Sequence, residues 1–290
     1  MSRLFSRRMF ILQLLSLTMS GCQSSPKHEG KLIVGVLNYG GRGEIINQYA
    51  KFNRYLGEKT KSNIQLEPAF NENKAIERLS ERAWSLVFAP PGLAAIAIAD
   101  YQYTPLFPLP GTSNLRTARS AKLSLLIVRQ DNPIRNLKQL EGKTIALGEP
   151  GSATGYYLPL YNLYGLTLAA IEFAPTPSSV LELVAQGKVA AGAVSMAEFN
   201  LYSPRSRARL RILHTDPHYV PPGLVLIGPD VERTRQEYIR KVMSEYPATA
   251  SQEIGYVPNA QVPDYRYMMA VVERVKPLAS RLQSHPVRLF

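Results

Sequence analysis

Short unbroken apolar runs alternate with segments of helical period along most of the chain, which is the pattern of a mostly parallel sheet with crossover helices. Leu32-Ile33-Val34-Gly35-Val36-Leu37 predicts a strand buried on both faces. After a break at Gly40-Gly41-Arg42-Gly43, residues Ile45, Ile46, Tyr49, Phe52, Tyr55 and Leu56 recur at helical spacing and give that helix a core side. Residues 64–68 read as a second strand, 72–82 as a helix and 85–89 as a third strand. Pro91 stands where a first-turn proline is tolerated, ahead of an apolar helix over 93–98. Thr104-Pro105-Leu106-Phe107 ends this block, and the polar stretch 111–122 leads to a new one beginning with a long buried strand over 123–129. There the pattern predicts a helical turn over 137–140, strands over 143–148, 169–174 and 189–194, and helices near 155–165 and 178–187. A strand over 223–228 and helices over 231–246 and 264–282 complete the chain; the tail is too short for a third domain and is expected to pack on the first block. The fold class is therefore α/β with two lobes: residues 31–122 plus 226–290 in lobe 1, 123–225 in lobe 2, two chain crossovers, and a cleft that closes by hinge motion.

The first thirty residues stand outside that pattern. Arg3, Arg7 and Arg8 precede an apolar run from Met9 to Met19, too short for a bilayer-spanning helix and proportioned like a signal peptide over residues 1–21. The run ends at Met19-Ser20-Gly21-Cys22, which resembles a bacterial lipobox, and that resemblance implies lipidation at Cys22 and a tether over 22–30. Ser6-Arg7-Arg8-Met9-Phe10-Ile11 also resembles a twin-arginine export signal, so the general secretory and twin-arginine routes both stay open.

Composition narrows the functional classes. The 290 residues are 45% hydrophobic and 19% charged, which excludes a disordered or collagen-like chain, and the single Cys excludes a disulfide framework. Net charge is +12; removal of residues 1–21 takes away three Arg and no acid, leaving 31 basic and 22 acidic residues, or +9. A lipoprotein held outside the cell is a poor nucleic-acid reader, so this charge points to small anions or an anionic membrane.

The candidate chemistry centres on Gly148-Glu149-Pro150-Gly151-Ser152-Ala153-Thr154-Gly155-Tyr156, placed between a strand and a helix. Small residues let the backbone approach a ligand, and the first amides of the helix are unsatisfied. With the hydroxyls of Ser152 and Thr154 they can hold an oxyanion without a formal positive charge. The alternative is that Ser152 or Thr154 only caps the helix. A phosphate-binding P-loop would need Lys-Ser or Lys-Thr after the last Gly, and a nucleophile elbow would need Ser where Ala153 stands. His214 and His218 flank Asp216, yet Pro217 argues against a helix that would align both imidazoles on a metal, and the segment reads as a loop. No paired carboxylates or Cys/His dyad stand out, so neither an enzyme nor a cofactor is expected.

These residues carry a family resemblance. The first strand and its amphipathic helix, the 148–156 turn, Leu181 to Val194 and Gly255-Tyr256-Val257-Pro258 resemble the periplasmic phosphate/phosphite/phosphonate-binding proteins of ABC importers, over roughly residues 31–275. The resemblance implies a type II periplasmic binding protein fold, a small phosphorus oxyanion between the lobes, a permease and its ATPase as partners, and a monomer anchored on the periplasmic side of the membrane. It places Ser152, Ala153 and Thr154 on the oxyanion with Gly155 opening the helix, and Thr176 and Asn73 at positions that line the site. Tyr39, ending the first strand, and Tyr156 are candidate cleft walls. Where the family has aromatics after the second strand and near Ala89-Pro90, this chain has Asn71-Glu72-Asn73 and none; Thr176 replaces a His, and the acid expected near 190–195 is missing. The missing acid speaks against aminoalkylphosphonates, and the losses together suit an alternative role as a periplasmic sensor module of a signalling system.

Overall fold

A computed structural model describes residues 30–37, 42–110 and 123–290, with backbone alone for 42 and 43. The signal segment, Cys22, the tether and Tyr39 lie outside the described residues. In the first lobe β1 (Lys31–Leu37), β2 (Asn63–Ala69), β3 (Leu86–Ala89) and β4 (Thr104–Pro108) alternate with α1 (Arg42–Thr60), α2 (Glu72–Ser80) and α3 (Pro91–Tyr101). The sheet order is β2-β1-β3-β11-β4, with β1 parallel to β2 and β3, and β11 (Leu224–Ile227) antiparallel to both neighbours. The apolar stripe expected on α1 buries Tyr49, Phe52 and Leu56. It meets an aromatic cluster in which Tyr49 lies edge-on to Phe88 at 5.2 Å and Phe52 to Tyr246 at 5.6 Å. Buried phenols need acceptors, and both find carbonyls: Tyr49 on Ile254 and Tyr256 on Met243.

The second lobe holds β5 (Ser124–Arg129), β6 (Thr144–Leu147), β7 (Thr167–Leu168), β8 (Ala170–Phe173), β9 (Ala191–Ser195) and β10 (Leu210–Thr215). Between them run α4 (Leu158–Asn162), α5 (Pro177–Ala185) and α6 (Met196–Tyr202). Its sheet runs β10-β5-β9-β6-β8. β6, β8 and β9 are parallel, so Leu147, Phe173 and Ser195 end at one edge, joined there by the start of antiparallel β5, where Ser124 faces Ser195. The helix expected near 155–165 is a π turn over Ala153–Tyr157 followed by the single turn of α4.

The expected lobe boundaries need two corrections. All four residues of β11 pair inside the first sheet, so the chain has returned by Leu224 and not at 226. After α7 (Arg233–Ser244) and α8 (Ala248–Ile254), which pack on α1, the tail does not stay with lobe 1. α9 (Arg266–Val275) lies on both α3 and α4, and the helix expected to reach 282 tightens at Pro277 into a 3₁₀ segment over Lys276–Arg281. β12 (Val287–Arg288) then pairs with β7 of the second lobe, bracketed by Gly165 N–H to the Leu289 carbonyl at 2.7 Å and Leu289 N–H to the Leu166 carbonyl at 3.0 Å.

The His214-to-His218 segment is half strand: His214 lies in β10, and Asp216 and His218 begin the second crossover. Asp216 is fully buried and accepts from Asn162 Nδ2 at 2.6 Å, His218 N–H at 2.8 Å and His218 Nδ1 at 3.0 Å. No cluster suited to a metal occurs among the described residues, and no described helix is long and apolar enough to cross a membrane.

Leu289 is fully buried four residues beyond His285, next to the two-residue strand that ties the tail down. Leu289→Ala is expected to cost about 2–5 kcal/mol, read as a lower urea midpoint; an unchanged midpoint would show that the tail contributes no core.

Candidate functional site

The strand ends of the two sheets meet around a cavity of about 690 Å³. The first lobe contributes Glu72, Pro90, Pro91 and Gly92; the second contributes the 148–155 turn, residues 174–178, Val180, Ala193, Ser195, Ala197, Glu198 and Tyr202; and Val220 comes from the crossover. A crevice at the carboxyl ends of strands is where open α/β sheets bind ligands.

Backbone geometry makes the close lobe contact possible. Gly151 sits at φ +113°, a conformation costly for side-chain-bearing residues, and a Cβ there would lie 2.7 Å from Glu72 Cβ. Opposite it, a Cβ on Gly92 would run into the Gly151 carbonyl oxygen. The first turn of α3 therefore lies directly on the turn of the second lobe, backbone to backbone.

Ser152 is the cap residue of the π turn. Its Oγ accepts from Gly155 N–H at 3.0 Å, and its carbonyl accepts from both Tyr156 N–H at 3.2 Å and Tyr157 N–H at 3.0 Å. The cap thus satisfies one early amide, while those of Ala153 and Thr154 have no protein acceptor among the described residues. Ser124 Oγ donates to the Thr154 carbonyl at 2.7 Å and fixes the turn to β5. Both readings of Ser152 hold together: it caps, and it lines the cavity.

The starts of α2, α3, α5 and α6 converge on the same space as the π turn, through Glu72, Pro91, Thr176 and Ser195. Each helix start carries partial positive charge on its first amides, a feature that favours anions, and no Lys or Arg stands in the wall among the described residues. Thr176 caps α5 by accepting from Ser179 N–H at 3.2 Å. Ser195 and Glu198 form a reciprocal capping box on α6, with Glu198 Oε2 accepting from Ser195 N–H at 2.7 Å.

Of the residues singled out in sequence, Ser152, Ala153, Thr154, Gly155 and Thr176 line the cavity, and two do not. Tyr156 is core: it packs edge-on against Tyr157 at 4.9 Å and near Phe173 at 6.1 Å, and burial pushes its phenol up to about 12. Asn73 is exposed, because α2 buries Glu72, Ala75 and Leu79 and so turns the preceding residue, Glu72, to the cavity. The stretch 190–195 carries no acid, but Glu72, Glu149 and Glu198 stand in the wall from other elements. An aromatic does follow β2: Phe70 is 45% exposed and lies off the cavity wall.

A family model described as "ABC transporter, phosphonate, periplasmic substrate-binding protein" matches residues 34–258. The chain belongs to this phosphonate-binding family. The family is an exported periplasmic transport component and not an enzyme; it binds a small ligand and works with an ABC permease and its ATPase. No curated relative matches the sequence. Among solved structures, the fold is similar to XAC2383 from Xanthomonas citri bound to ATP, at 18% identity and TM-score 0.67 over 86% of this chain and 98% of that one. It is also similar to a binding protein component of an ABC phosphonate transporter, PA3383 from Pseudomonas aeruginosa, at 13% identity and TM-score 0.60 over 88% of each chain. PhnD1 from Prochlorococcus marinus in complex with methylphosphonate matches at 17% identity and TM-score 0.58 over 85% of this chain and 98% of that one. The architecture of this phosphonate-binding family member is accordingly that of the type II periplasmic binding proteins.

A methyl at position 92 has nowhere to go without parting the lobes. Gly92→Ala is expected to keep the circular dichroism spectrum and raise the radius of gyration in small-angle X-ray scattering; an unchanged radius would mean that this contact does not set the lobe spacing.

Proposed function

We propose that this protein is a lipid-anchored solute-binding component that holds a small phosphorus oxyanion, namely phosphate, phosphite or a phosphonate, in the interlobe cavity and presents it as a monomer to the permease. The observation that carries the reading is the set of helix starts converging on a cavity with the Ser152 and Thr154 hydroxyls and two amides that have no protein acceptor among the described residues, whose side chains bring no Lys or Arg into the wall. Such a site holds a tetrahedral anion by oriented dipoles and releases it more easily than a bidentate Arg clamp would. Methylphosphonate in PhnD1 and ATP in XAC2383 are phosphorus oxyanions held by proteins of this fold, which makes them sensible probes. Lipidation at Cys22 after removal of residues 1–21 would tether the domain through the eight residues that follow, by either export route.

Isothermal titration of protein starting after Cys22 is expected to show saturable binding of at least one of phosphate, phosphite and methylphosphonate. Flat titrations with all three would remove the ligand class and leave the fold. Thr154→Val keeps shape and deletes one donor to a charged group, so affinity should fall about ten- to a hundredfold; unchanged affinity clears Thr154. In cells, Cys22→Ser should move the protein from the membrane to the soluble fraction, and continued membrane retention would overturn the lipid anchor.

A further inference from the structure

The end of the second lobe remote from the cleft carries charge that the fold does not use. β5 begins at the cleft with Ser124 and ends at Arg129, where Leu210 opens antiparallel β10, about 20 Å away. From Phe199 to Thr215 the chain holds no acid, and Arg205, Arg207, Arg209 and Arg211 occupy alternate positions. The first three are exposed, and none of the four forms an ion pair among the described residues. The loop after β5 adds exposed Arg135, while the acid of that loop, Asp131, is engaged by Arg129 at 2.5 and 2.9 Å. Two of these guanidiniums are brought together without a counterion. Arg211 Nη2 donates to the carbonyls of Asn132, at 2.9 Å, and Ile134, and Arg135 Nη1 donates to the same two carbonyls, reaching Ile134 at 3.1 Å. Burial and the neighbouring Arg135 charge push the Arg211 guanidinium down from its usual pKa. Like charges held together are unfavourable unless an anion joins them, and each guanidinium keeps further N–H groups for phosphate oxygens. Alternate residues of an extended chain recur about every 7 Å, so Arg207, Arg209 and Arg211 present a row of cations and not one pocket. Such a row suits anions that can shift sideways to meet it, as headgroups in a fluid bilayer can.

We infer that this arginine edge is a docking surface for anionic phospholipid, on which the second lobe rests by its far end while the cleft stays clear of the bilayer. The inference depends neither on the oxyanion assignment nor on the lipid anchor.

Vesicle flotation tests this on the chain from residue 23 onward, which keeps every described element and lacks Cys22. The vesicles are phosphatidylcholine alone, or phosphatidylcholine with about one-third phosphatidylglycerol. Binding is expected to the mixed vesicles only, and it should weaken as salt rises and the Debye length shortens. Arg207→Gln combined with Arg209→Gln removes two exposed cations whose side chains make no hydrogen bond or ion pair among the described residues. It should weaken vesicle binding about tenfold or more, since each basic residue near an anionic surface contributes roughly a factor of five. Lys51→Gln combined with Arg54→Gln, on exposed positions of α1 in the other lobe, makes the same change of net charge and should leave binding within about twofold. Equal losses in the two double variants would overturn the inference in favour of net charge alone. Equal binding to both kinds of vesicle, or binding to neither, would overturn it as well. Soluble polyphosphate binding at this edge in the absence of vesicle binding would give the surface to a free polyanion and overturn the membrane assignment.

Discussion

The contact between Gly92 and the Gly151 carbonyl is the constraint on which the site depends. Lobes that carry an anion site between them must meet closely enough to exclude water, and side chains at the point of contact would hold them apart. Two residues without Cβ, one at the first turn of α3 and one in a left-handed turn after β6, let backbone lie on backbone. The left-handed backbone at Gly151 precedes the Ser152 cap, and the next two residues line the cavity with amides that no protein group among the described residues accepts. Packing, turn geometry and ligand chemistry are thus set by the same few atoms.

Given that contact, the electrostatics come from topology. Both sheets end parallel strands at the cleft, so α2, α3, α5 and α6, each following such a strand, begin there. Partial positive charges accumulate there although no Lys or Arg stands in the wall among the described residues. Carboxylates can share such a wall because they too are favoured at helix starts: Glu72 occupies the first position of α2, and Glu198 completes the capping box of α6. The acids and the anion preference are compatible for one physical reason.

Strands buried on both faces announce themselves as apolar runs, so β1, β3, β5, β6, β9 and β11 are legible within one or two residues, as is the glycine- and hydroxyl-rich turn. The features that escape the sequence depend on phase or on distant partners. Asn73 draws the eye ahead of Glu72, although the spacing of Ala75 and Leu79 already places Glu72 on the buried stripe of α2. Tyr156 looks like a cleft wall because it adjoins the turn, but the π turn swings it into the core. The Ser195-x-x-Glu198 capping box is readable and supplies both a helix and an acid at the cavity. β7 and β12 have two residues each, too few to show any period, so the tail's return to the second lobe leaves no local trace.

That return changes how the lobes can move. The second crossover is held to the second lobe at Asp216, through Asn162, and to the first lobe by the bond from Leu109 N–H to the Gly223 carbonyl at 2.8 Å. Residues 217–222 join these two anchors, and Pro217, Pro221 and Pro222 fix φ at half of them. Tyr265 Oη, at the start of α9, donates to the Pro222 carbonyl at 2.6 Å, and α9 itself bridges α3 and α4. The C-terminal segment therefore acts as a non-covalent strap between the lobes, on top of the two crossovers. Wide separation would have to break the packing of α9 or the β7–β12 pair. A site that relies on shape and oriented dipoles suits such a restricted hinge, because little ordering remains to be done when the ligand arrives.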